Sequence, residues 1–350
     1  MSEPPKSTHL TPRAEARGML RVNTERRFLP RFKNRGLAPS NVSTVSRFSH
    51  QAMGTIFEIF IAGEEESYAG QAARAAFDEI DRLERLFSRF NPASEIGQIN
   101  RLKTGASMSI GAEIFECLSI AERVRAETAG AFDVNVRMKV KFRSPDMSRI
   151  PGDAELPSFE LRRGTSSAGA DRLSDRGDRP PAGFELRVIA AGSGAGCCLE
   201  LDLGGIGKGY ALDKALEILK DWSVENALVH AGTSTAIALG TAPDSAGWPV
   251  GVGGGWPGAP REMQLAAKAL SGSGTEVKGG HVIDPRTGEP AGGHLAAWST
   301  HPSGAVADAL STAFMVMKTE EIENYCLSHP DVWALVVKSY GDSRTFGAQF

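Results

Sequence analysis

Several features that would place this chain in a special class are missing from its sequence. No apolar run is long enough to span a bilayer, and a net charge of −3 gives no general attraction for nucleic acids or membrane surfaces. The four cysteines form no Cys-x-x-Cys pair and no disulfide-like spacing, which excludes a disulfide scaffold. What remains is an ordinary globular composition, 41% hydrophobic and 23% charged, over 350 residues. We therefore expect a sizeable core, no membrane span and no nucleic-acid partner.

Three segments lack the apolar periodicity of a folded core. Residues 1–46 are polar and rich in arginine, which predicts a disordered N-terminal extension or a start codon placed too far upstream. No apolar segment follows Arg26-Arg27, so we expect no export signal and a cytoplasmic location. Residues 143–183, rich in Arg, Pro, Ser, Gly and Asp, predict a mobile insertion in a domain over residues 47–340. Residues 341–350 are expected to form a C-terminal tail.

The rest of the chain alternates irregularly between helical and strand-like patterns. Helices are predicted over residues 68–87, 112–128 and 305–317, where apolar residues recur every three or four positions. Strands are predicted, among others, at residues 56–61 and 333–337. No internal repeat is detectable. These patterns predict a mixed α/β class, written α/β (α+β).

A glycine-rich segment, residues 202–213 with the sequence DLGGIGKGYALD, follows an apolar run that suits a buried strand. The residues after it, beginning with Tyr210, have the spacing of the inner face of a helix. A strand, a glycine turn and a helix N-terminus can cradle an anion with backbone N–H groups, and Lys208 adds a positive charge. The alternative is a turn that only joins two elements.

Three further side chains could carry chemistry. Asp308 and Thr312 lie one helical turn apart, and their oxygens could share a hard cation. The alternative is a solvated Asp308 and a Thr312 that bonds back to its own helix. His281 precedes a DPRTG turn and is either catalytic or structural. The sequence contains no Walker A motif, no dinucleotide GxGxxG and no GxSxG elbow.

Taken together and in this order, the motifs resemble the ApbE family, the FAD:protein FMN transferases. The resemblance covers residues 48–337 and rests on these segments: MGT at Met53, SRFNPASEIGQIN at Ser88, GAFD at Gly130, DLGGIGKGYALD at Asp202, SGSG at Ser271, HVIDPRTG at His281 and ADALSTA at Ala307. Each segment is weak alone, and seven of them in one order are specific.

The resemblance implies an ApbE-like mixed-sheet fold in which two lobes enclose an FAD site. It implies Mg²⁺ bound by Asp308, Thr312 and the backbone carbonyl of Gly207, and catalytic roles for His281 and Asp308. His281 would help to deprotonate the acceptor hydroxyl or orient a phosphate. It further implies FAD contacts from Met53, Phe90, Ala131, Phe132, Asp133, Gly204, Tyr210 and Val282. Lys208 either reaches a phosphate of FAD or points to solvent.

The implied activity is Mg²⁺-dependent transfer of FMN from FAD to a Ser or Thr of a target protein, with release of AMP. The target would carry a D-x-x-S/T-G-A-T acceptor. The alternatives are an FAD diphosphatase that yields FMN and AMP, and a catalytically silent flavin-binding protein. Three departures bear on this choice: Gly207 stands where alanine is usual, Phe90 replaces a frequent tyrosine, and residues 230–234 (HAGTS) replace Asn-x-Gly-Gly-Asp. Family members are commonly exported, so an envelope or periplasmic location is the alternative to the cytoplasm.

Overall fold

The computed structural model describes residues 45–137, 157–164, 183–189, 198–256, 259–260, 262–274 and 282–348. Its strands are β1 (Val45–Ala52), β2 (Thr55–Ala62), β3 (Ser107–Ile110), β4 (Ser158–Arg163), β5 (Phe184–Ile189), β6 (Asn226–Ala231), β7 (Thr235–Leu239), β8 (Trp248–Gly251), β9 (Glu262–Leu265), β10 (Ala269–Gly274), β11 (Ala296–His301), β12 (Trp333–Ser339) and β13 (Asp342–Phe346). Its α-helices are α1 (Glu66–Phe87), α2 (Glu95–Ile99), α3 (Ala112–Glu127), α4 (Gly207–Asp221), α5 (Gly304–Val316) and α6 (Thr319–Ser328).

The main sheet has eight strands in the order β1-β2-β6-β7-β10-β11-β12-β13, with antiparallel pairing between neighbours. Side chains alternate between its faces, as the period of two requires. One face, with Ile59 and Val229, packs against the helices, whereas the other, with Phe60 and Leu228, packs against the β8–β9 hairpin. A smaller sheet, β3-β5-β4, joins the core of the helix face. The predicted α+β class is confirmed.

Helix α5 lies at the centre of the helix face. Its recurring apolar residues predicted a helix, and one interpretation of the sequence left Asp308 solvated. The structure instead buries every residue of α5 except Thr312, because α5 is packed against β10, β11, α3 and α4. The apolar pattern therefore identified the helix correctly but not the burial of its polar side. A polar side chain on α5 has to find partners inside the protein.

Two predicted boundaries need correction. Strand β4 lies inside residues 143–183, which were expected to lack regular structure, and it pairs antiparallel with β5. Strand β13 lies inside the expected tail, residues 341–350, and extends the main sheet beyond β12. Each strand has a partner on one side only and consists mostly of polar residues, although Phe159 and Leu161 of β4 alternate with polar residues and pack against the core. Within the described ranges no helix combines the length and apolar character needed to cross a membrane.

Candidate active site

Helices α4 and α5 touch at two glycines, and this contact brings the two strongest sequence motifs together. A Cβ atom on Gly209 would lie 2.0 Å from the carbonyl oxygen of Gly304 and 2.8 Å from Cβ of Asp308. A Cβ atom on Gly304 would lie 2.6 Å from the carbonyl oxygen of Gly209. Neither distance is compatible with a side chain, so glycine at both positions permits the close approach. The contact places Asp308 beside the first turn of α4.

The carboxylate of Asp308 is buried and bound on both oxygens. Its Oδ2 accepts a hydrogen bond from Gly209 N at 3.1 Å and lies 3.6 Å from Nζ of Lys208. Its Oδ1 accepts from the hydroxyls of Ser271 at 3.1 Å and Thr235 at 3.3 Å. Only 3% of the residue is exposed. The alternative of a solvated Asp308 is therefore wrong, and a buried charge with these partners is a candidate for function.

Thr312 borders the same site from the next turn of α5. Its hydroxyl donates to the carbonyl oxygen of Asp308 at 3.3 Å. This is the hydrogen bond to its own helix that the sequence offered as the structural alternative. The same oxygen lies 3.4 Å from the hydroxyl of Ser273, and it would lie 3.1 Å from a Cβ atom on Gly205. Thr312 thus makes the structural bond and also faces the glycine turn. These two roles are compatible.

The glycine turn uses most of its N–H groups internally. Gly204 N donates to Asp202 Oδ1 at 3.0 Å, Gly207 N to the Leu203 carbonyl at 2.7 Å, and Gly209 N to Asp308. Three of the four glycines of this turn therefore already direct their N–H groups to acceptors within the protein. The ammonium of Lys208 donates to the Gly204 carbonyl at 3.2 Å and lies 3.6 Å from Oδ2 of Asp308. Lys208 does not simply point to solvent.

The GAFD segment supports the turn from the other side. Phe132 is buried, and its ring would lie 3.2 Å from a Cβ atom on Gly205. Ala131 is buried beside it, and α3 ends through two residues of positive φ, Ala129 at +49° and Gly130 at +78°. Asp133 closes the turn by accepting from Asn135 N at 2.8 Å. The segment therefore packs under the glycine turn, and residue 205 must be small.

The remaining predicted contacts lie in several surroundings. Met53 has a φ of +48° in the β1–β2 turn and packs against the core. Phe90 is 78% exposed on the loop after α1. Tyr210 is buried against Phe87, and its hydroxyl donates to Glu116 at 2.6 Å, so burial and this carboxylate raise the pKa of Tyr210. Val282 is buried, and its carbonyl accepts from Ala291 N. His281 lies outside the described residues.

Comparison with known proteins explains why these motifs occur together. The sequence profile of the ApbE family matches residues 53–336. This chain belongs to the ApbE family. Among curated relatives, the FAD:protein FMN transferase of Klebsiella pneumoniae (strain 342) is 23% identical over 306 residues, covering 81% of this chain and 82% of the relative. The FAD:protein FMN transferase of Salmonella typhimurium is 22% identical over 294 residues, covering 78% and 79%.

Solved structures confirm the ApbE fold. The flavin transferase ApbE from Vibrio cholerae has a TM-score of 0.64 at 19% identity, covering 88% of this chain and 99% of that protein. The apo flavinyl transferase ApbE of Pseudomonas stutzeri has a TM-score of 0.63 at 22% identity, covering 87% and 95%. At these identities the likeness establishes the fold and leaves the residues to be judged on their own contacts.

Several polar residues of this ApbE chain were not assigned a role from the sequence. We call Thr235, Ser271, Ser273 and Ser311, together with the already nominated Thr312, the hydroxyl cluster. Within it the hydroxyl of Ser311 lies 2.9 Å from that of Ser273 and 3.3 Å from that of Ser271. Four of these residues, Ser271, Ser273, Ser311 and Thr312, stand in the SGSG and ADALSTA segments quoted above, so the signal was present. It was overlooked because a hydroxyl in a β-strand usually means only β propensity.

Asp213, the last residue of the glycine-rich segment, was also overlooked. It caps α5 by accepting from the hydroxyl of Ser303 at 2.7 Å, from Gly304 N at 2.6 Å and from Ala305 N at 3.0 Å. Burial raises the pKa of Asp213, although these three donors act in the opposite direction. A helix capped by a residue of another helix is fixed relative to it. Asp213 therefore holds the α4–α5 contact in register.

Proposed function

We propose that this ApbE-family chain is an FAD:protein FMN transferase that requires Mg²⁺. A Ser or Thr hydroxyl of a target protein attacks the FMN-side phosphorus of FAD. A new P–O ester bond forms, the pyrophosphate P–O bond breaks, AMP leaves, and the hydroxyl proton is released. The observation that carries the proposal is the buried Asp308 carboxylate at the start of α4, beside Lys208 and the hydroxyl cluster. Its support from relatives is their shared name, FAD:protein FMN transferase.

The residues present fit a hard divalent cation by the chemistry of their donors. No group of three or more His, Cys, Asp or Glu side chains in the described part of the chain could hold a metal. A cation here would therefore use one carboxylate together with neutral oxygens, the ligands that Mg²⁺ accepts alongside water and phosphate. Asp308, the Thr312 hydroxyl and the Gly207 carbonyl would supply them. When bound, Mg²⁺ would offset the negative charge that gathers on the pyrophosphate.

The protein's own side chains would bind and orient the pyrophosphate beside the cation. The turn N–H groups of Gly204, Gly207 and Gly209 already have acceptors, and the Lys208 ammonium is the cationic side-chain group at this turn that would reach a phosphate oxygen. The hydroxyl cluster keeps Asp308 oriented by donating to its Oδ1. A preoriented carboxylate needs little rearrangement when the substrate arrives. His281 remains our candidate for handling the acceptor proton.

The altered segment at residues 230–234 does not argue against turnover. Its backbone still supports the site, because the carbonyl oxygen of Ser234 accepts from Gly272 N at 2.7 Å. The next residue, Thr235, donates to Asp308. His230 is turned to the opposite face of the sheet, where it stacks on Phe60. These contacts support a working site more than a silent flavin-binding protein.

One assay distinguishes the three activities. The full chain is incubated with FAD, Mg²⁺ and a peptide carrying the D-x-x-S/T-G-A-T acceptor, and the products are separated under denaturing conditions. Fluorescent peptide with AMP supports the transferase. Release of FMN and AMP without labelling would identify a diphosphatase, and tight FAD binding without AMP a silent binder. A peptide with alanine at the acceptor position is the matched control.

A further inference from the structure

An exposed aromatic ring stands at the edge of the site, and a neighbouring guanidinium covers part of it. Phe90 is 78% exposed on the loop that follows α1. The Cζ atom of Arg89 lies 3.9 Å from the centroid of the Phe90 ring, which is stacking distance for a cation on an aromatic face. A ring has two faces, so this contact leaves one for another partner. An exposed aromatic side chain with one covered face is partly immobilised before any ligand binds.

The guanidinium is itself tied to the glycine turn. Nε of Arg89 lies 3.0 Å from Oδ2 of Asp202, and Oδ1 of Asp202 accepts from Gly204 N at 3.0 Å. One carboxylate thus bridges the loop after α1 and the turn before α4. Because Asp202 compensates the charge of Arg89, the guanidinium is better suited to hold a ring than to bind a phosphate. The contacts run without a break from Phe90 to Gly204.

A second arginine at the same carboxylate provides an internal comparison. Nη1 of Arg137 lies 3.8 Å from Oδ2 of Asp202, and its side chain is 46% exposed, against 27% for Arg89. In the described residues Arg137 stacks on no aromatic ring, whereas Arg89 does. The two side chains carry the same charge next to the same acceptor. They differ in their contact with Phe90.

We propose that Arg89 is a positioning residue for the flavin ring: it fixes Phe90 so that the open face of Phe90 receives a planar aromatic ligand. The inference rests on the proposed function, since it concerns how FAD is recognised. Fixing an exposed side chain in advance removes an ordering cost that binding would otherwise carry. The advantage applies to ligands that bear the isoalloxazine ring, FAD and FMN, and not to ADP, which shares only the adenylate half and pyrophosphate of FAD.

The test compares Arg89→Ala with Arg137→Ala in the full chain, using FAD, FMN and ADP as ligands in calorimetric titrations at one fixed Mg²⁺ concentration. We expect Arg89→Ala to weaken FAD and FMN binding about three- to tenfold and to leave ADP binding within about twofold. Arg137→Ala is expected to change none of the three beyond that. Arg89→Lys, which keeps a cation over the ring, should recover part of the loss. In a Phe90→Ala background, Arg89→Ala should add no further loss.

Three results would overturn the assignment. Equal weakening of FAD, FMN and ADP would make Arg89 a phosphate-binding residue instead. Unchanged binding of all three would make it a surface ion pair, and full additivity with Phe90→Ala would show that it does not act through the ring. If Arg89→Ala does not fold, Arg89→Gln and Arg89→Lys carry the same comparison. Failure of the unaltered chain to bind any flavin would count against the proposed function and not against Arg89 alone.

Discussion

The two faces of the main sheet each bury a carboxylate, and they compensate its charge in different ways. On the hairpin face, Glu58 lies between Arg47 and His230: Arg47 donates to its Oε1, at 2.6 Å from Nε, and Nε2 of His230 lies 3.0 Å from its Oε2. Hydrogen bonding and charge from His230 and Arg47 lower the pKa of Glu58 to about 2, although burial acts in the opposite direction. On the helix face, Asp308 has three neutral donors and one ammonium, that of Lys208.

This difference supports our assignment of Glu58 to the fold and of Asp308 to the proposed active site. Glu58 is matched by groups on β1 and β6, the strands on either side of its own strand, so its interactions are completed by the fold. Asp308 is matched by a lysine that is 23% exposed and can move, so its negative charge is available to another cation. Burial alone would not have distinguished them, since both are under 9% exposed. The two carboxylates are distinguished by the nature of their partners.

The largest expected effect comes from removing the charge on the helix face. Asp308→Asn keeps the size of the side chain and loses the carboxylate, so we expect the rate of FMN transfer to fall by about 10²–10³-fold, as when one preorganised electrostatic group is lost. The rate is measured as fluorescent acceptor peptide per unit time. Glu58→Gln is the matched control, because it neutralises a buried carboxylate on the other face. We expect that variant, when folded, to retain activity; comparable losses in both would remove the distinction between the faces.

The sequence contained the helix-face site only in part. The spacing of Asp308 and Thr312 on a predicted helix was sufficient to propose them as cation ligands, and the glycine-rich segment predicted a turn before a helix. Whether α4 and α5 meet depends on the contact between Gly209 and Gly304, which are 95 residues apart (304 − 209). No local pattern encodes such a pair. The same holds for the Asp213 cap on α5 and for Ser271, whose hydroxyl meets Asp308 from a different strand.

The fold was predictable to a similar degree. Long helices with clear apolar periodicity were placed within about two residues of their ends, whereas β4 and β13 were missed because each pairs on one side and carries mostly polar residues. The pairing order of the eight strands also required the structure. Strand order follows from which faces complement each other across the core, and a single sequence does not state this.

The α4–α5 contact offers a matched pair of substitutions in one motif. A Cβ atom on Gly209 would meet backbone at 2.0 Å, so Gly209→Ala should reduce the free energy of unfolding by about 1–3 kcal/mol and displace Asp308. A Cβ atom on Gly207 would lie 3.4 Å from Phe87 and 3.6 Å from Leu203, which is ordinary contact. Gly207→Ala should therefore be neutral or stabilise the protein by about 0.4–1 kcal/mol. Denaturant unfolding measures both, and equal destabilisation would refute the helix contact.

The buried carboxylate on the hairpin face, Glu58, should make the stability of the protein depend on pH. The pKa of Glu58 is lowered in the folded state to about 2, so its contribution is complete above its ordinary value of 4.5 and is lost as pH falls towards 2. We expect this loss to be about 1–2 kcal/mol, discounted because Arg47 is 57% exposed. Glu58→Gln should flatten that part of the profile. A profile between pH 5 and 2 that is unchanged by the substitution would contradict the assignment.

The smallest predicted effect concerns Lys208, the partly exposed partner of Asp308 that distinguishes its surroundings from those of Glu58. Because its ammonium lies 3.6 Å from Asp308 and is partly exposed, Lys208→Met should raise the KM for FAD by about fivefold, within the range of a screened charge contact. The loss should shrink at high salt, where such contacts are screened, and Lys208→Arg should restore most of the affinity. Arg47→Met, which removes a cation from Glu58 instead, should lower stability and leave this KM unchanged. If Lys208→Met lowers stability and leaves the KM for FAD unchanged, Lys208 has a structural role like that of Arg47. Asp308 would then be a structural carboxylate like Glu58.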